Sequence, residues 1–192
     1  DEMRTMAWLD LATGSKGLFF FLYQTMINSQ QRGLFGLVSQ GGAETQLFRD
    51  VSALVAEVRP LTPLLLSLQP TDASAQVVSG NAYARSFLRP DGTPVLIAAS
   101  KDAYAPVIAS LYSGQLPWRC TWRDAITGES FGDTSEPFSV PITPGQGRVL
   151  VGTRVAPSVV EAGPTGGDVT RSASIRMRFD AAMDRPATEP AL

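Results

Sequence analysis

The feature that most constrains the fold is the apolar run at residues 18–23, which reads LFFFLY. Because no polar residue alternates with the apolar ones, the run predicts a strand that is covered on both faces, as in a parallel sheet. Such a strand needs neighbours on both sides to pair its backbone N–H and C=O groups. We therefore expect its partners to come from outside this sequence or from another chain, and the chemistry of the fold to depend on them.

Helical patterns flank this run. The first predicts a helix over residues 1–13, and Gly14 suits the position just after its end. The second predicts an amphipathic helix over residues 45–59, which Pro60 and Pro63 are expected to end. The order helix, strand, long loop, helix is typical of the end of an alternating α/β series. The apolar positions expected on the buried face of the first helix are Met3, Met6, Ala7 and Leu11.

From Gln76 onward, short strand-forming runs alternate with Gly, Pro and Asp turn signals. Asp91-Gly92, between two of these runs, is the strongest hairpin signal. Regularly spaced short strands of this kind predict an antiparallel β-sandwich. The predicted strands are residues 82–88, 94–99, 107–112, 118–123, 129–131, 138–142 and 147–152.

We expect an α+β chain in three parts. Residues 1–70 form a terminal α/β segment, and residues 76–155 form the β-sandwich as an accessory domain. Residues 156–192 are rich in Gly, Pro, Ser and Ala, and predict a flexible tail with one strand at Ser174–Phe179.

Composition narrows the classes of function. A formal charge of −2 and a pI near 5.1, with no basic stripe, argue against nucleic acid as a partner. The absence of histidine removes imidazole bases and the commonest metal ligand. The single cysteine, Cys120, excludes an internal disulfide and is expected to be a buried, inert thiol. No run approaches the ~18 apolar residues of a membrane span, so we expect no membrane partner, and we predict no cofactor and no metal.

Three stretches carry a family resemblance. Residues 2–20 read EMRTMAWLDLATGSKGLFF; residues 36–65 begin with GLVSQGG and end with LTPLL; residues 124–151 contain DAITGE, FSVPITP and VLV. In this order they resemble the C-terminal end of the (β/α)8-barrel glycoside hydrolases, specifically the beta-galactosidase-like members of the retaining barrel clan. The first resembles the seventh helix and eighth strand, the second the eighth loop and closing helix, and the third the closing strands of the following sandwich. The resemblance implies a truncated TIM barrel, reduced to its final β/α unit, followed by an antiparallel β-sandwich.

The resemblance also implies where the chemistry lies. A retaining glycosidase needs two carboxyl groups about 5–5.5 Å apart. In this family they follow the fourth and seventh strands, upstream of Asp1, so no catalytic residue is expected here. Glu2 lies at a helix start and is expected to be solvated. The resemblance instead assigns substrate binding to Tyr23, Gln24 and Asn28 at the carboxyl end of the eighth strand, where an aromatic ring stacks on a sugar and amides bind its hydroxyls.

The leading hypothesis is therefore the C-terminal portion of a carbohydrate-active enzyme, inactive alone, which meets its carbohydrate substrate through the rest of the barrel. Its exposed strand would favour association with another copy or a different chain.

Two alternatives stay open. One is a non-catalytic sandwich that binds a glycan or a protein, with Tyr112, Trp118 and Trp122 as a sugar platform, although two tryptophans on one strand face also suit a core. The other is a self-contained α+β domain of unrelated role. A calcium loop at Asp124, Glu129 and Asp133 competes with a plain hairpin turn.

Overall fold

The computed structural model describes residues 2–27, 33–72, 75–114, 116, 119–156, 159–163, 174 and 176–179, and shows an α+β fold. The helices are α1 (Glu2–Thr13), α2 (Gln46–Val58) and α3 (Thr62–Ser67), with a 3-10 turn at Arg59–Leu61 between the last two. The strands are β1 (Met26–Ile27), β2 (Gly33–Leu34), β3 (Gln69–Pro70), β4 (Gln76–Ser79), β5 (Ala82–Leu88), β6 (Pro94–Ser100), β7 (Val107–Tyr112), β8 (Cys120–Asp124), β9 (Ser130–Asp133), β10 (Phe138–Ile142), β11 (Gly147–Arg154), β12 (Val159–Gly163) and β13 (Arg176–Phe179).

Two antiparallel sheets form the centre of the molecule. One has six strands in the order β3-β5-β6-β11-β8-β9, and the other has three in the order β10-β7-β4. Inward-facing side chains of both sheets, among them Leu96, Leu111, Trp122 and Val140, form one core cluster. This arrangement is compatible with the predicted β-sandwich.

The helices cover the outer face of the six-stranded sheet. Strand β6 is therefore buried along its whole length. Leu96 and Ala98 face the sandwich core, whereas Val95 and Ile97 pack beneath the helices. The fold thus has three layers, in which the larger sheet is shared by two separate apolar cores.

Trp8 anchors α1 to this sheet. Its side chain is 0% exposed and lies against Gly147 of β11, where an added Cβ would overlap the indole ring. The predicted helix is confirmed, but its predicted face is wrong at Met6, which is 67% exposed. The apolar spacing in the sequence did not predict that the Trp8 side chain packs directly against the backbone at Gly147.

The second helix ends just before the predicted prolines, and two short helical elements follow it. Helix α2 ends at Val58, but Pro60 lies in the first turn of the following 3-10 turn and Pro63 in the first turn of α3. Proline is tolerated there because the N–H groups of a first helical turn have no intrahelical acceptor. The predicted helix over residues 45–59 is therefore confirmed, and two short helical elements that were not predicted follow it.

The apolar run at residues 18–23 is not the predicted regular strand with two covered faces. Phe19 and Phe21 are 97% and 77% exposed, while Leu18 and Phe20 are half-buried and pack on the core beneath the helices. Covering elements lie on one side only of this segment among the described residues, so the apolar composition alone overestimated its burial.

The predicted strands of the sandwich are confirmed, with ends that differ by a few residues at most. The Asp91-Gly92 turn is also confirmed, with Gly92 at φ +78° and the Arg89 N–H donating to the Thr93 carbonyl. Strand β13 corresponds to the strand predicted at Ser174–Phe179, but it pairs with β12, which was not predicted. Residues 157–158, 164–173, 175 and 180–192 of the predicted tail lie outside the described residues.

The division at residues 70–76 stays a prediction. Strand β3, at the end of the first predicted part, pairs with β5 of the six-stranded sheet. Within the described part of the chain, no helix has the length and apolar character required to cross a membrane.

Candidate substrate-binding edge

The segment from Leu18 to Thr25 carries the candidate site. It begins after α1, where Gly14 adopts φ +105° and donates its N–H to the Leu11 carbonyl oxygen at 3.0 Å. A glycine is suited to this left-handed position because it has no Cβ to collide with the preceding carbonyl. The turn directs the following residues across the helical core.

Exposure alternates along this segment. Leu18, Phe20 and Leu22 are half-buried, whereas Phe19, Phe21 and Tyr23 are exposed, Tyr23 to 68%. Alternation by one residue is the signature of an extended chain with one covered face. The exposed set forms a surface of aromatic rings, which we call the aromatic face (Phe19, Phe21 and Tyr23).

Within the part of the chain that the structure describes, the backbone hydrogen bonds of this segment lie at its carboxyl end. The carbonyl oxygens of Leu22 and Tyr23 accept N–H groups of Leu37 and Val38 at 3.0 and 2.8 Å, and the Thr25 N–H donates to the Val38 carbonyl at 2.8 Å. Gln24 and Val38 form a parallel bridge. The segment is thus held in an extended conformation where the predicted site begins.

Gly36 makes this pairing sterically feasible. A Cβ at this position would lie 2.6 Å from the Gln24 carbonyl carbon and 2.7 Å from the Thr25 nitrogen, distances that only glycine avoids. The Gly36 N–H also donates to Thr25 Oγ1 at 3.0 Å. The sequence analysis included Gly36 as the first residue of the second resemblance motif, but this steric role was not predicted, since a glycine in a loop carries no periodic signal.

Thr45 fixes the other end of this loop. Its hydroxyl oxygen accepts the Phe48 N–H at 3.3 Å as the N-cap of α2, and lies 2.8 Å from the Leu37 carbonyl oxygen, to which it donates. An N-cap of this kind is worth about 1 kcal/mol to a helix. The start of α2 is thereby tied to the strand partner of residues 22–25.

Gln24 lines a shallow pocket of about 380 Å³ at this edge. Its Nε2 donates to the Gln40 carbonyl oxygen at 3.1 Å, which leaves its own carbonyl oxygen as an acceptor. Met26, Ile27 and Gln40 complete the described lining, together with Thr25. Tyr23 adjoins the pocket along the chain, whereas Asn28 lies outside the described residues. Of the three predicted residues, the structure therefore places two at one edge.

The chemistry available here is recognition by shape and hydrogen bonding. An exposed phenol ring offers an apolar face, and an amide and a backbone carbonyl offer hydrogen-bonding groups. Glu2 does not line this pocket; it lines a different one beside Tyr104, whose hydroxyl donates to Glu2 Oε1 at 2.8 Å. This hydrogen bond to Glu2 raises the pKa of Tyr104.

Trp122 cannot belong to the alternative sugar-binding platform on the sandwich, because its side chain is buried. Trp122 is buried, donates Nε1–H to Ser113 Oγ at 3.0 Å, and stacks on Phe138 with ring centroids 6.4 Å apart. The core interpretation of Trp122 is thus confirmed, whereas Trp118 lies outside the described residues. Cys120 is buried as predicted, and burial raises the pKa of its thiol to about 12.

The carboxylates considered for calcium have other partners. Asp124 accepts backbone N–H groups of Ile126 and Thr127, both at 2.8 Å, and pairs with Arg148 at 3.2 Å. Asp133 pairs with Arg119 at 2.7 Å. The Asp124 contacts are those of a hairpin turn, which was the competing interpretation.

Comparison with known proteins identified no family for this sequence. The sequence matches no protein-family model, and a search of curated proteins found no match.

Proposed function

We propose that this chain is the C-terminal portion of a glycoside hydrolase of the (β/α)8-barrel type, which supplies the last barrel strand and an accessory β-sandwich. The observation that carries the proposal is the alternating exposure of residues 18–23. In a barrel, successive residues of a strand point in turn to the surrounding helices and to the barrel interior. Leu18 and Phe20 pack toward α1 and α2, so the aromatic face would be the interior face.

The position of Tyr23 supports the same proposal. Substrates of these barrels bind at the carboxyl ends of the strands. Tyr23 and Gln24 lie at that end of the segment, beside the pocket that Gln40 helps to form. Tyr23 would stack on a sugar ring and Gln24 would bind a hydroxyl, while the two catalytic carboxylates would come from sequence ahead of Asp1.

The proposal is tested by an assay on aryl glycosides. We expect the chain alone to show no turnover, and a polypeptide extended by the encoded upstream sequence to hydrolyse them. In the extended polypeptide, Tyr23→Ala should lower kcat/KM about fivefold, since stacking is worth about 1 kcal/mol. Tyr104→Ala is the matched control, because Tyr104 is exposed to a similar degree, 72%, but lies in the loop between β6 and β7, and we expect no change.

Two outcomes would overturn the proposal. One is clear hydrolysis by the chain alone that Glu2→Gln abolishes, because the catalytic acid would then lie within this sequence. The other is an upstream sequence without an Asn-Glu pair and a later strand-end Glu, the pattern that the family resemblance implies for the catalytic carboxylates.

A further inference from the structure

A second pocket, of about 470 Å³, opens between the end of α1, residues 15–20 and the helices α2 and α3. We call it the Lys16 groove. Its walls are mainly apolar, and its volume falls within the range of roughly 300–1,000 Å³ that is usual for small-molecule sites. The apolar lining side chains with exposed surface are Leu18, Phe20, Val55, Val58 and Leu66.

The charged lining of the groove has one sign. Lys16 and Arg59 are its charged members, and no Asp or Glu is among its described lining residues. This is notable in a chain with 18 acidic and 16 basic residues. The groove therefore joins an apolar floor to a positively charged rim.

The rim is held in place by the helices. Lys16 Nζ donates to the carbonyl oxygens of Leu65 and Leu68 at 2.7 and 2.6 Å. An ammonium group has three N–H donors, so these two bonds leave one for another acceptor. Arg59 is exposed at the end of α2, where its backbone N–H donates to the Val55 carbonyl and fixes the residue at the mouth of the groove.

We propose that the Lys16 groove binds a single-chain amphiphile with a carboxylate head group, such as a medium-chain fatty acid. The alkyl chain lies against Phe20, Val55 and Val58, and the carboxylate accepts hydrogen bonds from Arg59 and Lys16. A guanidinium group binds a carboxylate through two parallel N–H donors, which selects this head group over a neutral or cationic one. The proposal does not depend on the glycoside hydrolase assignment.

Calorimetric titration of the full chain with dodecanoate, below its micelle concentration, tests the proposal. We expect saturable one-to-one binding, with dodecanol and dodecyltrimethylammonium weaker by about tenfold or more. Arg59→Gln should weaken dodecanoate binding about tenfold and leave dodecanol unchanged, because only the charged head loses a partner. Arg49→Gln is the matched control: Arg49 lies in the first turn of α2, bonds Gln46, and does not line the groove, so we expect no change.

Two further variants locate the ligand. Val58→Trp should fill the groove and abolish binding of all three compounds, with an unchanged far-ultraviolet circular dichroism spectrum as the check on folding. The double variant Phe19→Ser/Phe21→Ser removes two rings of the aromatic face and should leave dodecanoate binding intact. Equal affinity for the three compounds, no binding, no effect of Arg59→Gln, or loss of binding in the double-Phe variant would each overturn the proposal.

Discussion

Trp8→Ala is expected to destabilise the protein by about 3–5 kcal/mol, a large part of the 5–15 kcal/mol typical of a folded domain. Trp8 is fully buried between α1 and the six-stranded sheet, and its ring lies on Gly147. Removing the indole leaves a cavity that the sheet cannot fill, because Gly147 has no side chain to move into it. Urea unfolding, followed by the helical circular dichroism signal, measures the loss.

Two comparison variants make this result specific. Met6→Ala, on the exposed side of the same helix, should change stability by less than about 0.5 kcal/mol. Trp8→Phe should cost less than Trp8→Ala, because it keeps a ring in the gap and removes a buried Nε1–H for which the described residues offer no acceptor. A Trp8→Ala loss no greater than that of Met6→Ala would mean that α1 does not depend on the sheet.

Trp122→Ala is expected to cost a similar amount, about 3–5 kcal/mol, in the core between the two sheets. Trp122 packs on Phe138 of the opposite sheet, and its indole N–H bonds the buried Ser113 hydroxyl. Trp122→Phe should cost about 1–3 kcal/mol, since it keeps most of the packing and leaves Ser113 Oγ without this donor. The loss in both variants is read from the urea midpoint at constant slope.

Thr121→Ala is the control for this pair. Thr121 is the neighbouring residue of β8 and points to the exposed face of the same strand. We expect a small change there, and a Trp122→Ala variant as stable as Thr121→Ala would contradict the assignment of Trp122 to the core.

The sandwich was predictable from the sequence because its strands carry a period of two. Strand β10 alternates buried and exposed residues from Phe138 to Ile142, and its predicted ends match the structure. Strand β4 was missed, since its four residues, two of them valine, are too few to show a period of two. The continuous run at Pro94–Ser100 is buried on both faces, as such a run predicts.

The similar apolar run at residues 18–23 differs from β6 in its burial, because one of its faces is exposed. Both runs are apolar throughout, but helices and a second sheet cover the two faces of β6, whereas the described residues cover only one face of residues 18–23. The amino-acid composition of a run therefore predicts an apolar face but does not predict which elements cover that face. The candidate site was likewise predictable only in part. The family resemblance predicted Tyr23 and Gln24 as site residues. It did not predict Gln40, whose carbonyl oxygen accepts a hydrogen bond from Gln24 across a separation of 16 residues.

The central claim, that residues 18–23 present one face to their own helices and the other to the rest of a barrel, is tested most directly by thiol labelling. Cys120, the single natural cysteine, is buried and has a raised pKa, so it contributes little background. In the chain alone, Phe19→Cys and Phe21→Cys should react rapidly, and Phe20→Cys should react at least about tenfold more slowly. In the polypeptide extended by its upstream sequence, all three should be protected. Equal reaction at the three positions in the chain alone, or rapid reaction at positions 19 and 21 in the extended polypeptide, would contradict the claim.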